Sequence, residues 1–305
     1  MSSPATPMTP PPPPPPPPWP LPARRLLPAG ALAGRAIALS VSDSEDLGAL
    51  GLLGTHLQLA LAEIARVVFV SDGRLLYGGD LRPGGHTELL LQELTRYGRK
   101  RGALTLCLAW NVHRRTALAS LETTDGRLGM RGQIVALDAA GQPLPDWRRG
   151  QPAEGVDDLS SVQKEAAFNA MRTFICAQEH ARVAIGGRRR GGDVMPGVVE
   201  EVLLSLERRH PVYLAGGFGG MTIDIAAARD PLCLNLKAPT AAAVAPRAVP
   251  VLAELARKAA VSAAGGWRLL NNGLDDDENR RLAATHRPSE IAALVATGLG
   301  RVARY

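Results

Sequence analysis

Four stretches of the chain carry residue types suited to gripping an anion, and each begins where an apolar run stops. They are Ser40-Val41-Ser42-Asp43-Ser44, Tyr77-Gly78-Gly79-Asp80-Leu81-Arg82-Pro83-Gly84-Gly85, Gly186-Gly187-Arg188 and Gly216-Gly217-Phe218-Gly219-Gly220. Glycine has no Cβ, so backbone N–H groups at such points approach an anion closely, and a helix N-terminus behind them adds roughly half a positive charge. A single glycine pair reads as an ordinary strand-to-helix turn. Several in one chain predict a phosphate cradle, because in an open parallel sheet these turns converge on one crevice. Arg82 and Arg188 add guanidinium groups that hold a phosphate with two parallel hydrogen bonds, while Arg189 and Arg190 also fit a solvated loop.

Other groups nearby have two readings each. Glu200 and Glu201, in the first turn of a helix opened by Pro196, suit a ribose-hydroxyl acceptor, a catalytic carboxylate or a partner of the helix dipole. His56 and His86 stand at helix starts, where a histidine serves more often as a cap or packed group than as a catalyst. The spacing Gly216-Gly217-x-Gly219-Gly220 departs from G-x-G-x-x-G, which argues against a standard dinucleotide dehydrogenase. There is no H-E-x-x-H, and Asp275 to Glu278 reads as a helix start rather than a calcium loop, so no metal is expected.

These turns need strands and helices to position them, and the sequence alternates the two. Apolar runs of strand length lie at 36–41, 74–77, 104–108, 134–137, 182–185 and 212–215. Segments of helical period fall between and after them, at 55–68 (with Thr55 as N-cap), 86–97, 160–181, 196–208, 220–228, 251–264 and 288–302. Alternation of this kind predicts an α/β, Rossmann-like, doubly wound and mainly parallel sheet with helices on both faces. Residues 35–305 are expected to form one domain, with an irregular insertion at about 111–158.

Composition narrows the class. Of 25 prolines, fourteen fall in the first 28 residues, including the nine of Pro10 to Pro18, so residues 1–34 read as a disordered tail of polyproline II character. That tail is a spacer, or a ligand for a proline-recognition groove. With 35 basic and 29 acidic residues the chain is only mildly cationic, and at 4% aromatic it lacks the stacking platforms of nucleic-acid binders. Cys107, Cys176 and Cys233 lie in scattered apolar contexts, which fits core positions in a reducing compartment rather than a disulfide framework. No apolar run reaches membrane-spanning length and the N-terminus has no secretory h-region, so a cytoplasmic protein is expected.

Taken together, Ser40-Val41-Ser42-Asp43-Ser44-Glu45-Asp46-Leu47, the run Tyr77 to Thr87, Gly186-Gly187-Arg188, Pro196-Gly197-Val198-Val199-Glu200-Glu201 and Gly216 to Gly220 resemble the SLOG superfamily, over roughly 35–304. That Rossmann-like group includes sensor domains of bacterial anti-phage effectors, ADP-ribose-binding domains of melastatin channels and the LOG phosphoribohydrolases. The resemblance implies either binding of ADP-ribose, an NAD-derived or a cyclic nucleotide in a stress or anti-phage signalling system, or hydrolysis of a nucleotide N-glycosidic bond. The LOG motif is P-G-G-x-G-T-x-x-E. Here Ala215 stands for its Pro, Gly220 for its Thr and Ile223 for its catalytic Glu, and Asp224 is displaced by about 100° around a helix. Binding without turnover is therefore the expectation, with Glu200 or Glu201 as the substitute carboxylate if the chain is an N-glycosidase.

On that resemblance the ligand set is Ser42, Ser44, Gly78, Gly79, Asp80, Arg82, Gly186, Gly187, Arg188, Gly197, Glu201, Gly216, Gly217, Phe218, Gly219 and Gly220. The glycine amides would hold phosphates, Ser42 and Ser44 would donate hydroxyls, and Glu201 would meet a ribose. The expected partners are a nucleotide, an effector protein and a second copy of the chain.

Overall fold

A computed structural model describes residues 27–79, 81–148, 159–189, 194–238, 243–263 and 265–303. Its strands are β1 (Ala36–Ser42), β2 (Arg74–Gly78), β3 (Leu104–Leu108), β4 (Gly132–Ala136), β5 (Ala181–Gly186) and β6 (Val212–Ala215). Its helices are α1 (Gly54–Val70), α2 (His86–Tyr97), α3 (Trp110–His113), α4 (Leu118–Leu128), α5 (Ser161–Gln178), α6 (Gly197–Glu207), α7 (Gly220–Arg229), α8 (Ala248–Val261), α9 (Asp276–Ala284) and α10 (Pro288–Val302).

The six strands form one sheet in the order β4-β3-β2-β1-β5-β6, and every neighbouring pair is parallel. The apolar runs follow from this: β3, β5 and β6 are buried along their whole length, as strands covered on both faces must be. Helices on the two faces supply the cover. On α1 the stripe Leu57, Leu61, Ile64, Ala65 and Val68 is fully buried, and the helix packs against α2 and α10. The fold is Rossmann-like and doubly wound. Strand order reverses at β1, whose neighbours are β2 and β5, and the register Ser42↔Gly186 brings the ends of β1 and β5 level at that reversal. Ligands of such sheets bind outside this point.

Several expectations shift. Within the stretch foreseen as irregular, β4 falls where the strand run at 134–137 was read, but the part through residue 148 also carries the unforeseen helices α3 and α4; 149–158 lie outside the described residues. The tail foreseen through Gly34 ends sooner, because Leu32 is buried and its N–H donates to the Ser71 carbonyl at 2.9 Å. Residues 1–26, with the proline run, are outside the described residues. Thr55 is not the N-cap of α1. The helix starts at Gly54, and His56 Nδ1 accepts the Leu53 N–H at 2.9 Å. The helix expected to run to Ala181 stops at Gln178, where Glu179 turns extended and leads into β5. All three cysteines are buried and free, and burial pushes the Cys107 thiol up to about 12. Among the described residues no helix is long and apolar enough to cross a membrane.

Candidate functional site

A cleft of about 550 Å³ opens at the carboxyl ends of β1 and β2, under the first turns of α2 and α6. Of the residues singled out in the sequence it gathers Ser42, Gly78, Gly79, Arg82, Arg188, Gly197 and Glu201. Ser42 ends β1, and its Oγ accepts the Arg188 N–H at 3.2 Å, which ties the two sides of the strand reversal together. The Arg188 side chain is exposed and has no carboxylate partner among the described residues. Gly78 is glycine because α5 packs on it: a Cβ would fall 2.7 Å from the Met171 terminal methyl.

Two helices point their positive ends at this space. Helix α6 opens at Gly197 with Pro196 as N-cap, so its first amides have no acceptor within the helix. A Cβ on Gly197 would come within 2.6 Å of the Arg172 guanidinium, so glycine there lets that cation lie over the first turn. Helix α2 opens at His86 after Gly84 and Gly85. Gly84 has φ +70°, and its N–H donates to the Glu88 carboxylate at 2.8 Å. His86 lines the cleft 3.9 Å from Asp43.

The carboxylates here are tied to cations. Arg172 donates to Glu200 Oε2 at 2.5 Å and lies 3.6 Å from Glu201 Oε1. Burial raises the Glu200 carboxyl above its ordinary range, against the opposing pull of Arg172. Glu201 Oε2 accepts from Arg182 at 3.1 Å, and Arg182, 1% exposed, also donates to Ser205 at 2.7 Å, to Ser40 at 2.8 Å and to the Glu179 carboxylate. Glu201 thus forms the cleft-side end of a buried ionic chain, whereas Glu200 does not line the cleft. Cys176, Glu179 and His210 present ligand atoms within 4.8 Å of one another. The Glu179 carboxylate, however, already accepts from Arg182, Ser205 and His210, so the arrangement is an ion-pair network.

The remaining turns are built differently. Gly216, Gly217, Phe218, Gly219 and Gly220, expected to cradle phosphate, do not line the cleft; they pack against protein. A Cβ on Gly216 would fall 2.6 Å from the Ala283 carbonyl oxygen, one on Gly217 would strike the Thr285 carbonyl, and Phe218 is wholly buried. The positive end of α7 already holds an internal anion, because Asp46 Oδ2 accepts the Gly220 N–H at 2.8 Å. Arg189 clamps Asp46 from the other side at 2.5 Å, donates to Asp224 at 2.5 Å and meets the Gly220 carbonyl at 3.2 Å. It is 1% exposed, which rules out the solvated-loop reading. Burial alone would lower its pKa, but the hydrogen bonds and charges of Asp224 and Asp46 raise it. Lys237 holds the other Asp224 oxygen at 2.6 Å.

Three further expectations are corrected by this packing. Ser44 Oγ accepts the Asp46 N–H at 3.1 Å and is buried, so it shapes the loop instead of facing the cleft. Gly186 (φ +66°) and Gly187 (φ +100°) form the bend out of β5, with the Gly187 N–H donating to the Ser42 carbonyl at 3.0 Å, and they too lie behind the cleft wall. Ile223, where the LOG carboxylate would stand, is 0% exposed in an apolar cluster. Asp80 and Arg190 lie outside the described residues.

The cleft also contains residues that no motif marked: Arg115, Phe168 and Arg172 among them. The adjacent acids Glu200 and Glu201, read as ribose acceptor, catalytic carboxylate or helix-dipole partner, are the local signal that could have pointed to a cation such as Arg172.

No curated protein matches the chain. Three chains of solved structures do. One is the X-ray structure of TM1055, a Northeast Structural Genomics Consortium target, to which this chain is similar at 17% identity and a TM-score of 0.34, over 62% of this chain and 78% of that one. The strand-end turns that resemble the SLOG superfamily fall within the span, residues 31–282, matched by the family model described as SLOG cluster2, and the chain belongs to that family.

Proposed function

We infer that the protein binds a phosphate-bearing nucleotide in the cleft and holds it without turnover. The supporting observation is convergence: Arg82, Arg115, Arg172 and Arg188 line one space with the first turns of α2 and α6. Cations and helix N-termini together favour a multiply charged anion, and Tyr77 and Phe168 offer ring surface for a base. The ligand class is ADP-ribose, an NAD-derived or a cyclic nucleotide, and the role is sensing in the cytoplasm with an effector protein downstream. The burial of Ile223 at the position of the LOG carboxylate favours binding over hydrolysis.

A thermal-shift panel of AMP, ADP-ribose, NAD and cyclic nucleotides tests this. A true ligand stabilises the chain by about 2.7 kcal/mol at a hundredfold excess over its dissociation constant. No response across the panel, or a response unchanged in Arg188→Glu, overturns the reading. A second reading rests on Glu201, which does line the cleft: in an N-glycosidase it would supply the carboxylate beside the ribose. Chromatography after incubation would then show free base, abolished by Glu201→Gln.

A further inference from the structure

Of the ten large apolar side chains that stand exposed among the described residues, three belong to one short segment, the 3-10 turn Pro231–Leu236 that follows α7. They are Leu232, Leu234 and Leu236, the first two more than half exposed. The turn is capped: Asp230 Oδ1 accepts the Leu232 N–H at 3.0 Å, and Cys233 points inward at 1% exposure, so the leucines are held outward. Apolar surface gathered in this way marks a docking face.

Two neighbours of the turn carry charge with no counterpart. Asp230 Oδ2 also accepts from Arg280 at 2.7 Å, which fastens α9 to the end of α7. Gly265 and Gly266 run along this junction: a Cβ on Gly266 would fall 2.0 Å from the Arg229 carbonyl oxygen, and one on Gly265 would lie 3.8 Å from Asp276 Oδ2. Arg229 is 4% exposed, and its Nε and Nη1 are buried without a partner. Burial lowers its pKa to about 10, with no carboxylate to raise it again. Asp276, in the first turn of α9, leaves Oδ1 buried and unpartnered in turn. Buried polar groups almost always find a partner, so both orphans mark contacts that one chain does not supply.

The orphans are opposite in sign and border one junction. A two-fold axis brings residue i of one copy to residue j of the other, and j to i. We propose that a second copy of this chain covers the face, with the leucines of the two turns packed together and Arg229 of each copy paired with Asp276 of the other. None of these residues lines the cleft, so the inference stands apart from the nucleotide reading.

Sedimentation equilibrium of the full chain, at about 1–100 μM, tests this and is expected to give the mass of two chains. Leu234→Glu, at an exposed position, should keep the fold and weaken association at least about thirtyfold, and Leu232→Glu should act alike. Arg229→Asp and Asp276→Arg each set like charges together and should give single chains. Their equimolar mixture should regain the two-chain mass, because each altered residue then meets its opposite. If Arg229→Asp fails to fold, the two leucine variants and Asp276→Arg carry the test. A chain that stays single at the highest concentration, a dimer untouched by these variants, or a mixture of folded charge variants that stays single overturns the proposal.

Discussion

Two glycine-rich turns leave the carboxyl ends of strands in the same sheet, and they end in opposite ways. Gly78, Gly79, Gly84 and Gly85 line an open cleft, with Arg82 and the first turn of α2. The turn from Gly216 to Gly220 is closed, packed on the end of α9 and sealed by the Asp46 carboxylate. In both, glycine marks a place where something approaches the backbone closely. In the second, the approaching group is the protein itself, carrying the charge that a ligand would otherwise bring. Glycine composition reports the close approach; the identity of the guest is written elsewhere in the chain.

Substitutions can break that contrast. The largest effect is expected for Gly217→Val, whose side chain would overlap the Thr285 carbonyl and destabilise by roughly 4 kcal/mol or more, seen as loss of the cooperative denaturant transition. A normally stable Gly217→Val that failed to bind nucleotide would instead restore this turn as a cradle. Asp46→Ala comes next: it leaves Arg189 buried with its clamp half empty, for about 3–5 kcal/mol, again read by unfolding. Arg188→Ala should do the reverse, leaving stability within about 0.5 kcal/mol and weakening nucleotide binding by roughly ten- to a hundredfold in calorimetric titration.

The smallest effect concerns pH. His113 Nε2 donates to the Trp147 carbonyl at 3.1 Å and anchors the turn that presents Val112 and Arg115 to the cleft. Burial lowers its pKa below the unfolded value of 6.5, so the folded chain resists taking the proton. The neutral ring's contribution to stability is present above that value and is lost as pH falls through it toward the folded pKa. Urea unfolding at about pH 7.5 and 5.5 should show this slope, and His113→Gln should flatten it. An equal slope in the variant would mean that other groups carry it.

Much of the scaffold was legible. The bounds of α2, β3, β6 and α10 follow from apolar runs and their punctuation, and Asp275 caps α9 through the Glu278 N–H at 2.8 Å, as its acidic cluster foretold. Helix α4 was missed because glycine and charge masked a stripe, Leu121 and Leu128, at helical spacing. The cleft was half legible. Gly84, Gly85, Arg82 and Arg188 lie in local motifs, but Arg172 comes from the middle of a long helix and meets Glu200, 28 residues away. The Asp46–Arg189 clamp spans 143 residues, and no local pattern encodes such a pairing.

The ionic chain ending at Glu201 has one more consequence, found by counting lone pairs. A carboxylate offers about four acceptor sites. Arg182 takes one directly, and Arg172 stands off at 3.6 Å, beyond hydrogen-bond length. Glu201 therefore lines the cleft with one oxygen taken by Arg182 and the other short of a hydrogen bond from either arginine, so that acceptor capacity remains on its second oxygen.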